Sequence, residues 1–245
     1  MSNLVTALSQ LGREAARMVL PSPCIVCAEE LPWQARSGSC CEDCWTALPR
    51  IVEPKCRSCA AVWTTSERDV SYTCGRCIES PLRFEWLEAW GHYAGGLEQV
   101  LRAFKFRRHD FLAPPLADLM RDALDARGDD AFDFILPVPM HPRRERRRGF
   151  NQAEILAMHL ARGTRLRMKP DLATRIRLGK PQSSLPRAER GANVRGSFAA
   201  SEHSRGLSIL VVDDICTTGE TLSACAAALL DAGAARVCAL VVARA

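Results

Sequence analysis

The sequence predicts an α/β protein in which a doubly wound parallel sheet follows a small cysteine-rich module. Three features of the 245 residues carry that prediction. Apolar, strand-like runs alternate with helix-like stretches from about residue 84 to the end; four Cys-x2-Cys pairs crowd into residues 24–77; and Ile209 to Leu222 joins an apolar run, two adjacent acids and a Thr/Gly turn to a helix.

Composition sets the scale. Hydrophobic residues make up 47 % and charged residues 25 %, the makeup of a globular chain with room for one large domain and one small one. The formal charge of +5, from 33 basic and 28 acidic residues, favours anionic ligands without separating small phosphates from nucleic acid. No apolar run reaches the roughly 18 residues that span a bilayer, and no long apolar secretory segment opens the chain, so it reads as cytoplasmic. The expected division is an amphipathic helix over 1–22, a metal module over 23–80 and the α/β domain over 81–245.

In the first segment Leu4, Leu8, Leu11, Ala15 and Met18 or Val19 recur at helical spacing, with Arg13, Glu14 and Arg17 between them. That pattern suits a docking helix; a membrane-surface helix is the competing reading. The pairs Cys24/Cys27, Cys41/Cys44, Cys56/Cys59 and Cys74/Cys77 follow. Thiolates two residues apart can share one tetrahedral Zn2+, so the simplest assignment is two structural four-cysteine zinc sites taken in sequence, with crossed pairing of alternate knuckles as the alternative. Cys40 is left over, since Cys41 keeps the spacing. Disulfides suit a reducing cytosol poorly, and redox pairs do not normally come four in a row. The module has few long apolar runs, so metal would supply much of its folding free energy.

The α/β elements follow in order. Phe84 to Tyr93 reads as a strand, Gly95-Gly96 as a break and Leu97 to Phe106 as a helix. Leu112 to Ala126 reads as a helix with Pro114 and Pro115 in its first turn, and Phe132 to Val138 as a strand. Asn151 and Gln152 open a helix reaching about Ala161, and Leu172 to Ile176 is a short strand. Ser208 to Val212, helix Thr221 to Leu230 and strand Val237 to Val242 complete the pattern. Ligands of such a sheet bind beyond the carboxyl ends of its strands.

The chemistry concentrates after Val212. Backbone N–H groups of a turn at 217–219 and the positive end of the following helix can face a phosphate, while Gly219 lets the main chain approach closely. Thr217, Thr218 and Thr221 add hydroxyls. Asp213 and Asp214 would repel a phosphate but can accept hydrogen bonds from sugar hydroxyls. The bland reading is a strand-turn-helix unit with local capping.

This string resembles the ribose-phosphate loop of type I phosphoribosyltransferases. From about Cys24 to the C-terminus the chain is similar to the ComF family of competence-associated, phosphoribosyltransferase-like proteins, also represented by GntX. The resemblance implies a type I phosphoribosyltransferase-like fold over 81–245. It implies that phosphoribosyl pyrophosphate binds with Mg2+ through Asp213, Asp214, Cys216, Thr217, Thr218, Gly219, Glu220 and Thr221, the acid pair being the candidate catalytic residues. Val138, Pro139 and Met140, with nearby Arg147 and Arg148, would approach the pyrophosphate. A lid over Arg175 to Phe198 would bring Lys180, Arg187 and Arg190 to the closed site; the family's lid pattern is matched by Gln182, Leu185, Arg190 and Asn193. The implied partners are phosphoribosyl pyrophosphate or a related sugar phosphate, single-stranded DNA and competence proteins. Phosphoribosyl transfer to an acceptor and a non-catalytic role on single-stranded DNA, as adaptor or sensor, are the two functional readings. No residue stands out as a base for a particular acceptor.

Three further features have rival readings. Arg143, Arg144, Arg146, Arg147 and Arg148 can hold pyrophosphate, contact a nucleic-acid backbone or form a solvated loop. Leu101 to His109 interleaves aromatics and cations, but Leu97, Val100, Leu101 and Phe104 suit a buried helix face better than base stacking. Cys216 is read as a space-filling residue before a thiol with lowered pKa, and His141 as neither acid nor base.

Overall fold

The computed structural model describes residues 23–31, 39–62, 72–105, 107–128, 131–178 and 196–245. The helix expected over 1–22 and the lid residues Lys180, Gln182, Leu185, Arg187, Arg190 and Asn193 lie outside the described residues. Strands β1 (Leu87–His92), β2 (Phe134–Pro137), β3 (Arg167–Met168), β6 (Ser208–Cys216) and β7 (Arg236–Arg244) form a five-stranded sheet in the order β1-β7-β6-β2-β3. Every neighbouring pair in it is parallel.

Parallel strands buried on both faces read as continuous apolar runs, and β6 and β7 are of that kind. Their side chains alternate between two cores. Ile209 and Val211 enter one layer with Val237, Ala239 and Val241. Leu210 and Val212 enter the other with Cys238, Leu240 and Val242. The first layer is closed by helix α7 (Glu220–Asp231) through Leu222, Cys225 and Leu229. The second is closed by α3 (Gly95–Phe104), α4 (Ala113–Arg127) and α6 (Gln152–Gly163). Leu97, Val100, Leu101 and Phe104 are fully buried, so the aromatic-cationic stretch contributes core on that face of α3.

The structure departs from the sequence reading in four places. β6 runs four residues past Val212, because Asp213, Ile215 and Cys216 keep their pairing with Val241, Ala243 and Arg244. The Arg run is a helix, α5 (Pro142–Arg148), not a loop. Pro142 occupies its first turn, His141 caps it and Gly149 ends it at φ 91°, and Arg itself favours helix. β4 (Ala173–Arg175) stays outside the parallel sheet and pairs antiparallel with β5 (Phe198–Ala200), as the two ends of one long segment readily do. β3 has only two residues, too few for any periodic signal.

The cysteine module contributes α1 (Glu42–Thr46) and α2 (Gly75–Glu79) and lies along the free edge of β1. Ile51 N donates to Trp90 O at 2.9 Å and His92 N to Pro49 O at 2.8 Å. This pairing covers an edge that would otherwise offer unpaired backbone groups. Gly91 permits it: a Cβ there would stand 2.7 Å from Pro49 O and 2.6 Å from Leu97 Cδ2. Among the described residues, no helix is long and apolar enough to cross a membrane.

Candidate functional site

The eight paired cysteines gather into two groups, Cys24/Cys27/Cys41/Cys44 and Cys56/Cys59/Cys74/Cys77. The grouping is sequential, not crossed. Within each group all sulfurs lie within 4.8 Å of one another, with Cys27 and Cys41 at 3.8 Å and Cys59 and Cys74 at 3.7 Å. A tetrahedron with Zn–S near 2.3 Å has S–S edges of about 3.8 Å, so both groups are of a size consistent with structural zinc. The knuckle backbone assists. Ala28 and Ala60, each just after a Cys-x2-Cys pair, adopt φ 64° and 54°, and the N–H groups of Val26 and Cys41 point at Cys24 Sγ. Burial opposes ionisation of Cys24, but hydrogen bonds from the backbone of Cys27, Cys41 and Val26 outweigh it and bring its pKa to about 6. Cys40 is not a member of either group, although it lies beside Cys24; burial and its thiol neighbours push it up to about 12. Cys41, not Cys40, belongs to the first group, so Cys41 is the ligand the geometry selects.

The second site sits where the sheet reverses its winding. From β2 the chain passes through α5 and α6 to β3 on one side, and from β6 through α7 to β7 on the other. The carboxyl ends of neighbouring β2 and β6 therefore lie at a topological switch point, where open α/β sheets form their ligand crevice. Val138 to Met140 leave β2 on one wall, with Val138 N still bonded to Val212 O at 2.8 Å. Asp213 to Thr221 leave β6 on the other. Gly219, at φ 82°, turns the chain into α7, whose N-cap position has no side-chain cap. Thr218 Oγ1 receives Glu220 N at 3.4 Å and Ser223 N reaches Gly219 O at 2.8 Å.

The strand pleat separates the two acids, because successive side chains of β6 leave opposite faces. Asp214 Oδ2 lies 3.5 Å from Lys105 Nζ, at the end of α3. Asp213 lies toward the α7 side, where its charge is felt by Cys225 and Arg175. Burial and then the neighbouring Asp214 carboxylate raise the Asp213 pKa to about 7, against weaker opposing help from the Asp214 N–H, which donates to Asp213 Oδ1 at 2.9 Å, and from Lys105 and Arg175. Arg175, at the end of β4, is buried with Nε and Nη2 lacking hydrogen-bond partners among the described residues, and burial and nearby Arg144 disfavour its charge. Two cations and two acids thus meet at one end of the sheet. Perturbed ionisation of this kind concentrates where ligands bind.

The remaining predicted residues have these positions. Cys216 is buried between the sheet and α7, and desolvation drives its thiol up to about 11, the opposite of a helix-activated nucleophile. His141 accepts Arg143 N at 3.2 Å as the cap of α5. Arg148 Nη1 is bound to Gln152 Oε1 at 2.7 Å, while Arg147 is exposed on α5. Asn151 fixes the segment after β2 by donating to Val138 O at 3.1 Å while capping α6 through Ala153 N. Sequence reasoning did not single out Arg76 or Arg244, and it met Lys105 and Arg175 only inside longer basic stretches, yet all four approach the acids or the loop. Only the long-range pairing of elements identifies them.

Comparison with known proteins agrees with this architecture. Residues 15–78 match the double zinc ribbon domain and residues 147–245 the phosphoribosyl transferase domain. The chain is 31 % identical over 224 residues to the DNA utilization protein YhgH of Escherichia coli (strain K12), covering 90 % of this chain and 96 % of the relative. It is 28 % identical over 213 residues to competence protein ComFC of Bacillus subtilis, covering 86 % and 79 %. It is 28 % identical over 157 residues to competence protein F of Haemophilus influenzae, covering 61 % and 69 %. With a double zinc ribbon joined to a phosphoribosyltransferase-type sheet, and with relatives of these names matched along most of its length, the chain belongs to the ComF family.

Proposed function

We propose that the chain binds phosphoribosyl pyrophosphate with Mg2+ in the crevice between β2 and β6 and serves DNA uptake or utilization. The observation that carries the reading is the convergence of Val138 to Met140 with Asp213 to Thr221 at the switch point. In this reading 81–245 is the ligand-binding domain and 23–80 its zinc module. The N–H groups of Thr217 to Thr221 and the start of α7 receive the 5′-phosphate, with Gly219 keeping the backbone close. Asp213 and Asp214 accept the ribose hydroxyls. Asp213, its pKa raised to about 7 by burial and the Asp214 carboxylate, would also gain from a nearby divalent cation, whose charge would offset that repulsion. Mg2+ brought in with the ligand would neutralise pyrophosphate charge, and Asp213 and Asp214 are the residues that would hold it or the hydroxyls beside it. Arg175 and Arg147, with Lys180, Arg187 and Arg190 of the lid, supply cations on the pyrophosphate side.

If the site turns over, an acceptor attacks the anomeric carbon, the bond to pyrophosphate breaks and positive charge develops on the sugar. The acid pair would then act by orientation and electrostatics. The test is pyrophosphate release from phosphoribosyl pyrophosphate and Mg2+ across a panel of nucleobase, nucleotide and single-stranded DNA acceptors. Release that vanishes in Asp213→Ala/Asp214→Ala supports a transferase; tight binding without release supports a sensor.

A second reading, a single-stranded-DNA adaptor of transformation, is favoured by the exposed Arg143, Arg146, Arg147 and Arg148 of α5 and by the names of the relatives. Its test is the salt dependence of single-strand affinity. Replacing three of these Arg by Gln lowers the logarithmic slope by about 0.7 for each phosphate that is no longer neutralised. Salt-independent or unmeasurable binding removes this reading.

A further inference from the structure

We propose that the second cysteine site is the foundation of the ligand loop, with Arg76 and Arg244 as the positioning residues that transmit its order to Thr217 to Gly219. The proposal rests on the ligand reading of that loop and names what makes it competent.

The contacts are specific. Arg76 lies inside the Cys74-x2-Cys77 knuckle, on α2; its Nη2 donates to Thr218 O and stands 3.8 Å from Glu220 Oε1. Arg244, buried at the end of β7, donates through Nε to Cys59 O at 2.9 Å and through Nη1 to Cys216 O at 3.3 Å and to Thr217 O. One guanidinium therefore spans the knuckle and the loop. Leu82 packs against Cys56, Cys59 and Cys77, and it would lie 3.2 Å from a Cβ on Gly219. Arg83 N donates to Ser223 Oγ in the first turn of α7 at 2.9 Å.

Peptide geometry turns these contacts into a function. In a trans peptide the C=O of one residue and the N–H of the next point in opposite directions. Pinning Thr217 O and Thr218 O toward the knuckle therefore aims the N–H groups of Thr218 and Gly219 away from it, as a donor array for phosphate requires. A loop free of these anchors could rotate either peptide and present a carbonyl, which repels the anion. The same two guanidinium groups lie behind the loop, where their charge favours a phosphate in front of it. Arg76 holds its position only if Cys74 and Cys77 hold theirs, so metal at the second site and order of the loop are coupled.

Amide hydrogen exchange on the full, zinc-loaded chain tests this without any ligand. In Arg76→Ala both zinc ions stay bound, exchange at Thr217 to Thr221 speeds at least tenfold, and affinity for phosphoribosyl pyrophosphate with Mg2+ falls about tenfold or more, as expected for one charged hydrogen bond. Arg76→Lys recovers part of both effects. In Cys77→Ser one zinc ion is lost and loop exchange rises to at least the Arg76→Ala level. Wild-type exchange in Arg76→Ala, or a protected loop in Cys77→Ser after loss of one zinc ion, overturns the proposal. Arg76-dependent exchange in a chain that binds no phosphoribosyl pyrophosphate leaves the brace standing and removes the ligand assignment alone.

Discussion

Asp213→Asn should make the ligand-free protein more stable at pH 8 while abolishing its ligand affinity. Asn keeps the shape of the side chain and removes the charge. The Asp213 pKa rises from 3.8 to about 7 through burial and the neighbouring Asp214 carboxylate. Below pH 3.8 the acid is protonated in both folded and unfolded chains. Between pH 4 and 7 the folded chain holds the proton and the unfolded chain has released it, so stability falls as pH rises through this window. At ~1.4 kcal/mol per pH unit, the gap sets a ceiling of about 4 kcal/mol on the cost at pH 8. Sharing of the proton with Asp214 and partial hydration bring the expected gain in Asp213→Asn to about 2 kcal/mol. Urea unfolding of zinc-loaded protein at pH 5 and pH 8 reads the difference directly. The variant should exceed wild type at pH 8, and the gap should narrow as pH falls toward 4. A variant less stable at pH 8, or a pH-independent difference, refutes the assignment of Asp213 as a strained, ligand-facing acid.

Three other outcomes are expected. Cys40→Ser should retain two zinc ions per chain by native mass spectrometry, whereas Cys41→Ser should lose one, because only Cys41 belongs to the first group. Gly219→Ala should cost about 1–2 kcal/mol in urea unfolding, from a left-handed φ with a side chain. The new Cβ, 3.2 Å from Leu82, should also weaken ligand binding measured by calorimetry. Lys55→Met should cost about 2 kcal/mol by the same unfolding assay, because it strips buried Glu88 of its 2.6 Å cation and leaves Arg127 at 3.4 Å and the Ala89 N–H at 3.2 Å; adding Glu88→Met should regain most of it.

Local features of the sequence were the legible ones. Cys-x2-Cys spacing fixes thiol geometry within a few residues, and the order of apolar run, acids, Thr and Gly fixes the strand, turn and helix over 209–222. The extension of β6 through Asp213 and Asp214 was not legible. Carboxylates disfavour strands, and only pairing with Val241 to Arg244 keeps the chain extended there. Their separation to opposite faces follows from that extension, as does the meeting of Asp214 with Lys105, which lies far away along the chain. Helix α5 was not legible either: five Arg in six positions read as a cationic patch in the loop after β2, and that reading passes over the helix signals of Pro142 and Gly149. Arg76 and Arg244 are ordinary basic residues in one dimension. Their roles arise where the knuckle docks on the ends of β6 and β7.

Calorimetric titration of the zinc-loaded chain with phosphoribosyl pyrophosphate, with and without Mg2+, tests the central claim most directly. The account predicts one site per chain, tighter with Mg2+, and lost in Asp213→Ala/Asp214→Ala with both zinc ions retained. No binding by the wild-type chain, or equal affinity in the double variant, would contradict it.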